Sequence, residues 1–409
     1  MRRFSPVIPF SVSPFLDGYL TVAAGFVIAG LRAGGAMSAA EASLYAGLFL
    51  LGTFLGAVFS GRLADRFGRR PFFLAFPLLC ALAAAVPFFS AAVTTLIAVQ
   101  CMLGLLIGGD TPVSQAAVTE MTPVSNRGKA LSFLMFSWFV GALAGVAAAV
   151  PIAFFALPWP VFYVVPVLLF SAAYLMRLSI PESALWRRSR RQHCVSGEGK
   201  NVLSSGAQTT GLLRPSLWQY RRAVLFCCGF WLSQTIPVTA IMMFSPMILE
   251  RLTGTDSHIL QVGLLYAFFL AGVLPVTFIK KAFDKEKLLT RTFVAMGIAL
   301  LAVAACGPAH PTLMGTAFIF YAFAYGMQTT LDYIYPNVLF PTALRSTASG
   351  VILGISRVGS AASAFAFPFL LDLFTAKTLI ISGAVISLLG VLWLLVLPEK
   401  SVPGDEEAA

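Results

Sequence analysis

An all-α membrane protein with twelve transmembrane helices in two six-helix bundles is predicted by three observations. First, the 409-residue chain is 58% hydrophobic and only 11% charged, too apolar for a soluble globule with a polar surface. Second, it divides into apolar segments of about 20 residues, each long enough to cross a hydrocarbon core of roughly 30 Å. These lie near 12–31, 42–60, 71–90, 94–118, 130–151, 159–178, 223–248, 259–279, 288–306, 312–336, 343–371 and 376–397. Third, the chain repeats internally. Glu120, Pro123 and Arg127 after the fourth segment share their spacing with Val338, Pro341 and Arg345 after the tenth, and Asp65-Arg66 recurs as Asp284-Lys285. Parallel six-span repeats are the organisation of two-bundle transporters that bind their cargo at the repeat interface. The expected division is an N-terminal bundle over 1–181, a cytoplasmic linker over 182–222 and a C-terminal bundle over 223–409.

Taken in order, the first span carries an acid, Asp17, and leads directly into a second apolar span, so no cleavable signal peptide is expected and the first span stays. Between spans two and three lies the basic loop Gly61-Arg-Leu-Ala-Asp-Arg-Phe-Gly-Arg-Arg70, four arginines against one acid. Positive charge near span ends stays on the cytoplasmic side. The loop glycines permit close helix approach and a sharp turn, and Asp65 is suited to cap a neighbouring helix. With both termini in the cytoplasm, all of the 28 Lys and Arg fall on the inner side except Arg32, Arg251 and Lys377 outside and Arg357 in mid-span. Topology thus accounts for the net charge of +11, and a nucleic-acid partner is not expected. The linker holds Arg187, Arg188, Arg190, Arg191, Arg221 and Arg222 around a Gly/Ser-rich centre, 195–211, expected to be mobile. Cys80, Cys101, Cys227, Cys228 and Cys306 fall in or beside apolar spans and Cys194 in the linker, which is no disulfide framework.

Several motifs carry a resemblance. Gly61, Leu63, Asp65, Arg66, Gly68, Arg69 and Arg70, falling after a second span, resemble the loop between helices 2 and 3 of the major facilitator superfamily. Glu120-x-x-Pro123-x-x-x-Arg127-Gly128 and Pro181-Glu182-Ser183-x-x-Trp186 are similar to loop signatures of sugar porters and metabolite:proton symporters. So is Tyr335-Pro336-x-x-x-Phe340-Pro341-Thr342-x-x-Arg345, followed by Arg357-x-Gly359. Gly108-Gly109-Asp110-x-Pro112 resembles the Gly-Gly-Asp-Tyr-Pro motif of phosphate:proton symporters and their organic-acid relatives, with Thr111 in place of Tyr. Phe15-Leu-Asp17-Gly18-Tyr19 resembles the Asp-Gly-Tyr-Asp start of aromatic-acid and metabolite symporters, with Leu20 in place of the second Asp. The resemblance implies the major facilitator fold, secondary transport by alternating access, a monomer in the plasma membrane (a bacterial inner membrane) and a central cavity lined in part by helices 1 and 4. It also implies a cytoplasmic latch between the halves, with Gly61, Asp65, Arg66, Gly68, Arg69, Glu120, Arg127, Asp332 and Arg345 in gating roles.

A charge inside a bilayer needs a partner, a wet cavity or a role, and four residues qualify: Asp17, Asp110, Asp332 and Arg357. Asp17 and Asp110 are the expected proton-coupling acids, because a desolvated carboxyl group can take up and release a proton; a structural hydrogen bond is the alternative for each. Asp110 is also a candidate substrate contact. Arg357 remains charged in any surroundings, and its planar fork suits a carboxylate or phosphate. By motif match it stands where phosphate symporters carry a substrate-binding Lys; the alternative is a permanent salt bridge to Asp332 or Asp110. For Asp332 a gate or ion-pair role is expected. Among neutral residues Gln115, Ser114, Trp138, Gln234, Thr235, Tyr325 and Gln328 lie on the cavity-type helices 4, 5, 7 and 10, where packing is the alternative for each. Thr235 and Gln328, the repeat partners of Asp17 and Asp110, and Gln234 are the better substrate candidates. No metal-ligand spacing and no nucleotide-binding loop occurs, so no cofactor is expected and ATP-driven transport is unsupported.

The expected function is therefore uptake of a small anionic metabolite with protons. Efflux by proton antiport is an alternative, although Gly141-x-x-x-Gly145 lacks the Gly-Pro-x-x-Gly-Gly run of the antiporters. Uptake of a neutral sugar or polyol calls for more amides and no free arginine. A non-transporting nutrient sensor is the remaining alternative.

Overall fold

A computed structural model describes residues 7–90, 92–155, 157–188, 217–253, 258–278, 284–306 and 310–397. The expected mobile linker centre, 195–211, and Cys194 lie outside the described residues. Twelve long helices occupy what is described: α1 (Val7–Ala33), α2 (Ala39–Phe67), α3 (Arg70–Ala85), α4 (Val93–Met121), α5 (Val124–Phe154), α6 (Val164–Leu178), α7 (Arg221–Thr253), α8 (His258–Phe278), α9 (Lys285–Cys306), α10 (Pro311–Val338), α11 (Arg345–Leu373) and α12 (Ala376–Leu389). Among the described residues eight helices are long and apolar enough to cross a membrane. Helices α10 and α11 bury polar side chains inside the protein, among them Thr329, Thr330, Asp332 and Asn337 on α10 and Ser346, Thr347, Ser349 and Ser356 on α11. Large apolar side chains such as Phe59, Leu82, Leu168 and Leu175 stand exposed on outer faces, as contact with lipid rather than water requires.

Local chemistry sets the helix boundaries. Ser38 and Glu41 form a reciprocal capping box that starts α2, with Glu41 N donating to Ser38 Oγ at 3.2 Å and Ser38 N donating to Glu41 Oε2 at 2.8 Å. The chain leaves α2 through Gly68 at φ +108°, a conformation that favours glycine. Helix α3 then begins with its first backbone N–H groups covered from afar. Arg69 N and Arg70 N donate to Glu182 Oε1 and Oε2 at 3.1 and 3.0 Å, which supplies acceptors and negative charge at a helix N-terminus.

In the first half α1 packs on α5, α2 on α4 and α3 on α6; in the second, α10 packs on α8 and α9, α9 on α12 and α7 on α11. Across the halves α2 lies along α11, and α5 lies along α8 and α10. The α2–α11 crossing is tight because Gly61 rests against the Ser346 backbone and Gly350 against the Ala57 carbonyl. Small residues permit such backbone approach in membranes, where close packing drives helix association.

A side chain at Gly61 runs into the Ser346–Thr347 backbone of α11. Gly61→Leu is therefore expected to part α2 from α11 while each half stays folded. The overpacking cost of about 1–3 kcal/mol corresponds to a loss of the closed arrangement by roughly tenfold or more, read as a lengthened spin-label distance between the Asp65 end of α2 and the start of α11.

Candidate functional site

Three buried polar layers lie along the junction of the halves and within the first half. The outermost is the latch. Asp65 Oδ2 accepts from Thr347 N and Oγ1, both at 2.7 Å, so an acid of α2 caps the first turn of α11 across the interface. Its other oxygen pairs with Arg69 at 2.8 Å. Arg69 Nη2 also reaches Glu120 at 3.0 Å and the Thr342 carbonyl at 2.7 Å, and Arg345 approaches Glu120 at 3.6 Å. Arg345 Nε donates to the Asn337 carbonyl at 3.0 Å; Pro341, four residues on, has no N–H to take that acceptor. Trp186 closes the cluster, donating from its indole to the Asp65 carbonyl at 3.1 Å. Of the expected gating residues, Gly61, Asp65, Gly68, Arg69, Glu120 and Arg345 meet here. Arg66 is exposed, with its guanidinium over Phe67, and Arg127 donates to the Thr122 carbonyl at 3.4 Å.

The second layer lies wholly in the first half. Asp110 is gripped by Arg177, with Nη1–Oδ1 at 2.8 Å and Nη2–Oδ2 at 3.0 Å, while Ser13 and Ser114 donate to Oδ2. Arg177 is fully buried and also donates to the Pro9 carbonyl, the Ser13 hydroxyl and the Phe73 carbonyl, each at 3.0 Å. The Phe73 carbonyl is free to accept because Pro77 lacks the N–H that a helix would direct at it. All five guanidinium N–H groups are thereby used. The expectation that Asp110 might balance Arg357 is corrected: its partner is Arg177. In the sequence Arg177 closes an apolar span and counts among the inner-side charges, which snorkel to the interface; here it reaches inward.

The central layer joins the halves. Asp17 of α1 accepts from the Trp138 indole at 2.9 Å and pairs with Arg357 of α11 at 2.9 Å. The Arg357 pairing with Asp332 or Asp110 considered from the sequence is thus corrected as well. Nearby, Tyr333 is buried, and Asn337 Nδ2 donates to Gln115 Oε1 at 3.1 Å. Asp332 forms no ion pair among the described residues, contrary to the expected ion-pair role; it is held by Gln234 and by Thr329. Thr235 is buried beside Gln234. Aromatic walls come from Trp138, Tyr266, Phe269 and Tyr325.

Buried polar atoms are ordinarily satisfied, yet among the described residues Asp17 Oδ1, Arg357 Nε, Gln234 Oε1, Asn337 Oδ1 and both amide atoms of Gln328 have no protein partner. Donors and acceptors left open on α1, α7, α10 and α11 suit water or a polar ligand. Arg357 is 20% exposed, so the pair is reachable. Among the described residues no three His, Cys, Asp or Glu side chains converge as metal ligands.

Known proteins resemble this chain in sequence and in fold. Residues 10–364 match the sequence model of the Major Facilitator Superfamily. YaaU of Escherichia coli strain K12, provisionally described as a metabolite transport protein, is 29% identical over 396 residues, covering 93% of this chain and 88% of that one. The niacin transporter NiaP of Acinetobacter baylyi is 35% identical over 161 residues, 39% of this chain and 36% of that one. The proton:xylose symporter XylE bound to 6-bromo-6-deoxy-D-glucose superposes with a TM-score of 0.79 at 18% identity, covering 97% of this chain and 96% of that one.

Arg177→Ala is expected to destabilise the purified protein by about 3–5 kcal/mol, because it leaves Asp110 buried without its counter-charge. Arg177→Met combined with Asp110→Leu should recover most of that loss, as an apolar pair often replaces a buried ion pair at little cost. Thermal melts of the three proteins measure both effects.

Proposed function

Because the chain belongs to the major facilitator superfamily and is thus a multi-pass membrane transporter of a small molecule, we propose that it imports a small anionic metabolite together with protons by alternating access. The observation that carries this reading is the Asp17–Arg357 ion pair, made by opposite halves of the chain and left with open valences on both members. While Asp17 is ionised it occupies the guanidinium. A proton on Asp17 removes that competition, and Arg357 turns its fork to the carboxylate or phosphate of the substrate. Gln115, Gln234, Gln328 and Asn337 then supply hydrogen bonds to the rest of the molecule. Ionisation of Asp17 on the other side restores the pair and expels the anion. Proton binding and anion binding are thereby made mutually supportive at one site. In this reading Asp110 is a structural acid, and Asp17 is the coupling one.

The latch forms the gate. Its basic loop, Arg62 to Arg70, places that end at the cytoplasm by the positive-inside rule, with both termini on the same side of a bacterial inner membrane and the protein acting as a monomer. Parting α2 from α11 uncaps α11 and exposes Arg69, Glu120 and Arg345 to water, which opens the cavity inward.

A second reading is favoured by the four amides, Gln115, Gln234, Gln328 and Asn337, which suit hydroxyl groups. In it the cargo is a neutral sugar or polyol, as in the sugar-bound XylE, and Arg357 never leaves Asp17.

The two readings separate at Arg357. For an anion, chosen from carboxylates and phosphates by its thermal stabilisation of the purified protein, Arg357→Ala is expected to weaken binding by about 2–5 kcal/mol. Arg357→Lys should retain more affinity for phosphates than for carboxylates. Asp17→Asn should keep anion binding but abolish accumulation driven by a proton gradient in proteoliposomes. Stabilisation by sugars alone, with Arg357→Ala binding no anion less tightly, would make the neutral reading the correct one.

A further inference from the structure

Asp332 has no task in the pairings described so far. It is 1% exposed and differs from the other buried acids in what holds it. Asp65 has Arg69, Glu120 has Arg69 and Arg345, Asp110 has Arg177 and Asp17 has Arg357. Asp332 has an amide and a hydroxyl: Gln234 from α7 on Oδ1, and Thr329 Oγ1 donating to Oδ2 at 3.0 Å. The titratable groups around it are Tyr325 and Tyr333 of its own helix, Cys227 of α7, Tyr266 of α8 beside Tyr325, and Arg357 and Asp17, which act on Tyr333. The one cation in that set is committed to Asp17.

An isolated carboxylate in such a place carries a desolvation cost that neutral hydrogen bonds do not offset, whereas the protonated acid needs only an acceptor. One is at hand. Gln234 Oε1 has no partner, and which amide atom faces Asp332 is set by the hydrogen bonding itself; turned over, the amide accepts the acid proton.

The position of Asp332 adds a conformational link. Its helix touches the first half just before and just after it, through Thr329 Oγ1 on Met135 Sδ at 3.8 Å and through Asn337 on Gln115 at 3.1 Å. Separation of the halves at the latch end breaks both contacts and admits water between them.

We propose that Asp332 is a second proton site, in the C-terminal half, occupied while the halves are closed at the latch and emptied when they part. In the emptying step the O–H bond of Asp332 breaks, the proton passes to water in the opened cleft, and the carboxylate is left hydrated. The inference rests on alternating access as proposed above, but needs neither an anionic substrate nor Asp17.

Infrared difference spectroscopy tests it on the full-length protein without substrate or gradient. At pH 7, wild type minus Asp332→Asn should show a protonated carboxylic acid C=O stretch that shifts in D2O. In the Gly61→Leu background, where the latch is parted, the same subtraction should show carboxylate bands instead. Asp332→Asn, isosteric with the neutral acid, should melt at or above the wild-type temperature. Carboxylate bands in the closed protein would overturn the proposal. So would an acid band that persists in the Gly61→Leu background at pH 8 once spin-label distances show the latch open, because the proton would then be a fixed structural one. Neither result bears on whether the cargo is an anion, so failure here and failure of the substrate reading are told apart.

Discussion

A charge that enters the bilayer interior must be answered there by another helix, and the arrangement of this protein follows from how its buried charges meet that demand. Four acids are answered by guanidinium groups; Asp65 meets Arg69 within one loop, and the other three pairings join segments distant in sequence: the α2–α3 loop and α11 to α4 through Arg69, Arg345 and Glu120, α4 to α6 through Asp110 and Arg177, α1 to α11 through Asp17 and Arg357. Arginine suits this work because it stays charged and offers several N–H groups from one plane. Breaking such a pair leaves an ion alone at a cost of several kcal/mol. A pair that lies within one half is therefore a fixture, while a pair that spans the halves is a contact that any parting of the halves must release.

The two halves answer the demand unequally, although their sequences repeat. The counterpart of Asp65 is Asp284, which is exposed and engaged by Lys287 next to it, with the side-chain hydrogen bond from Lys287 holding its carboxyl below the usual range. Glu120 is matched by Val338. The second half thus supplies the receiving helix N-terminus and Arg345 to the latch but no acid of its own. One loop, Gly61 to Arg70, clasps the other half, and among the described residues no acid of the second half makes the reverse clasp.

The sequence was most informative where chemistry is local. Hydropathy delimited the helices, and the loop's acid and glycines announced a cap and a close crossing, because a helix N-terminus and a backbone contact each ask for particular residue types at particular spacings. Asp17, Asp110, Asp332 and Arg357 stood out because a charge within an apolar run is conspicuous. Their pairing was not legible. Which acid faces Arg357 depends on helix rotation and depth across hundreds of residues, and no periodicity encodes that. Arg177 was hidden for a related reason: at the end of an apolar run a basic residue looks the same whether it turns to the interface or to the interior. Its one trace was Pro77, whose missing N–H leaves a carbonyl for some distant donor to find.

That arginine has a mechanical consequence. With its five N–H groups spent on α1, α3 and α4, Arg177 of α6 pins four helices of the first half at a single point, and none of them can slide past another without stranding a guanidinium in an apolar interior. The first half is thereby stiffened against shear. Any motion between the halves is thereby steered into a rocking of one about the other, with the compliance concentrated at the seam where α2 meets α11 and α5 meets α8.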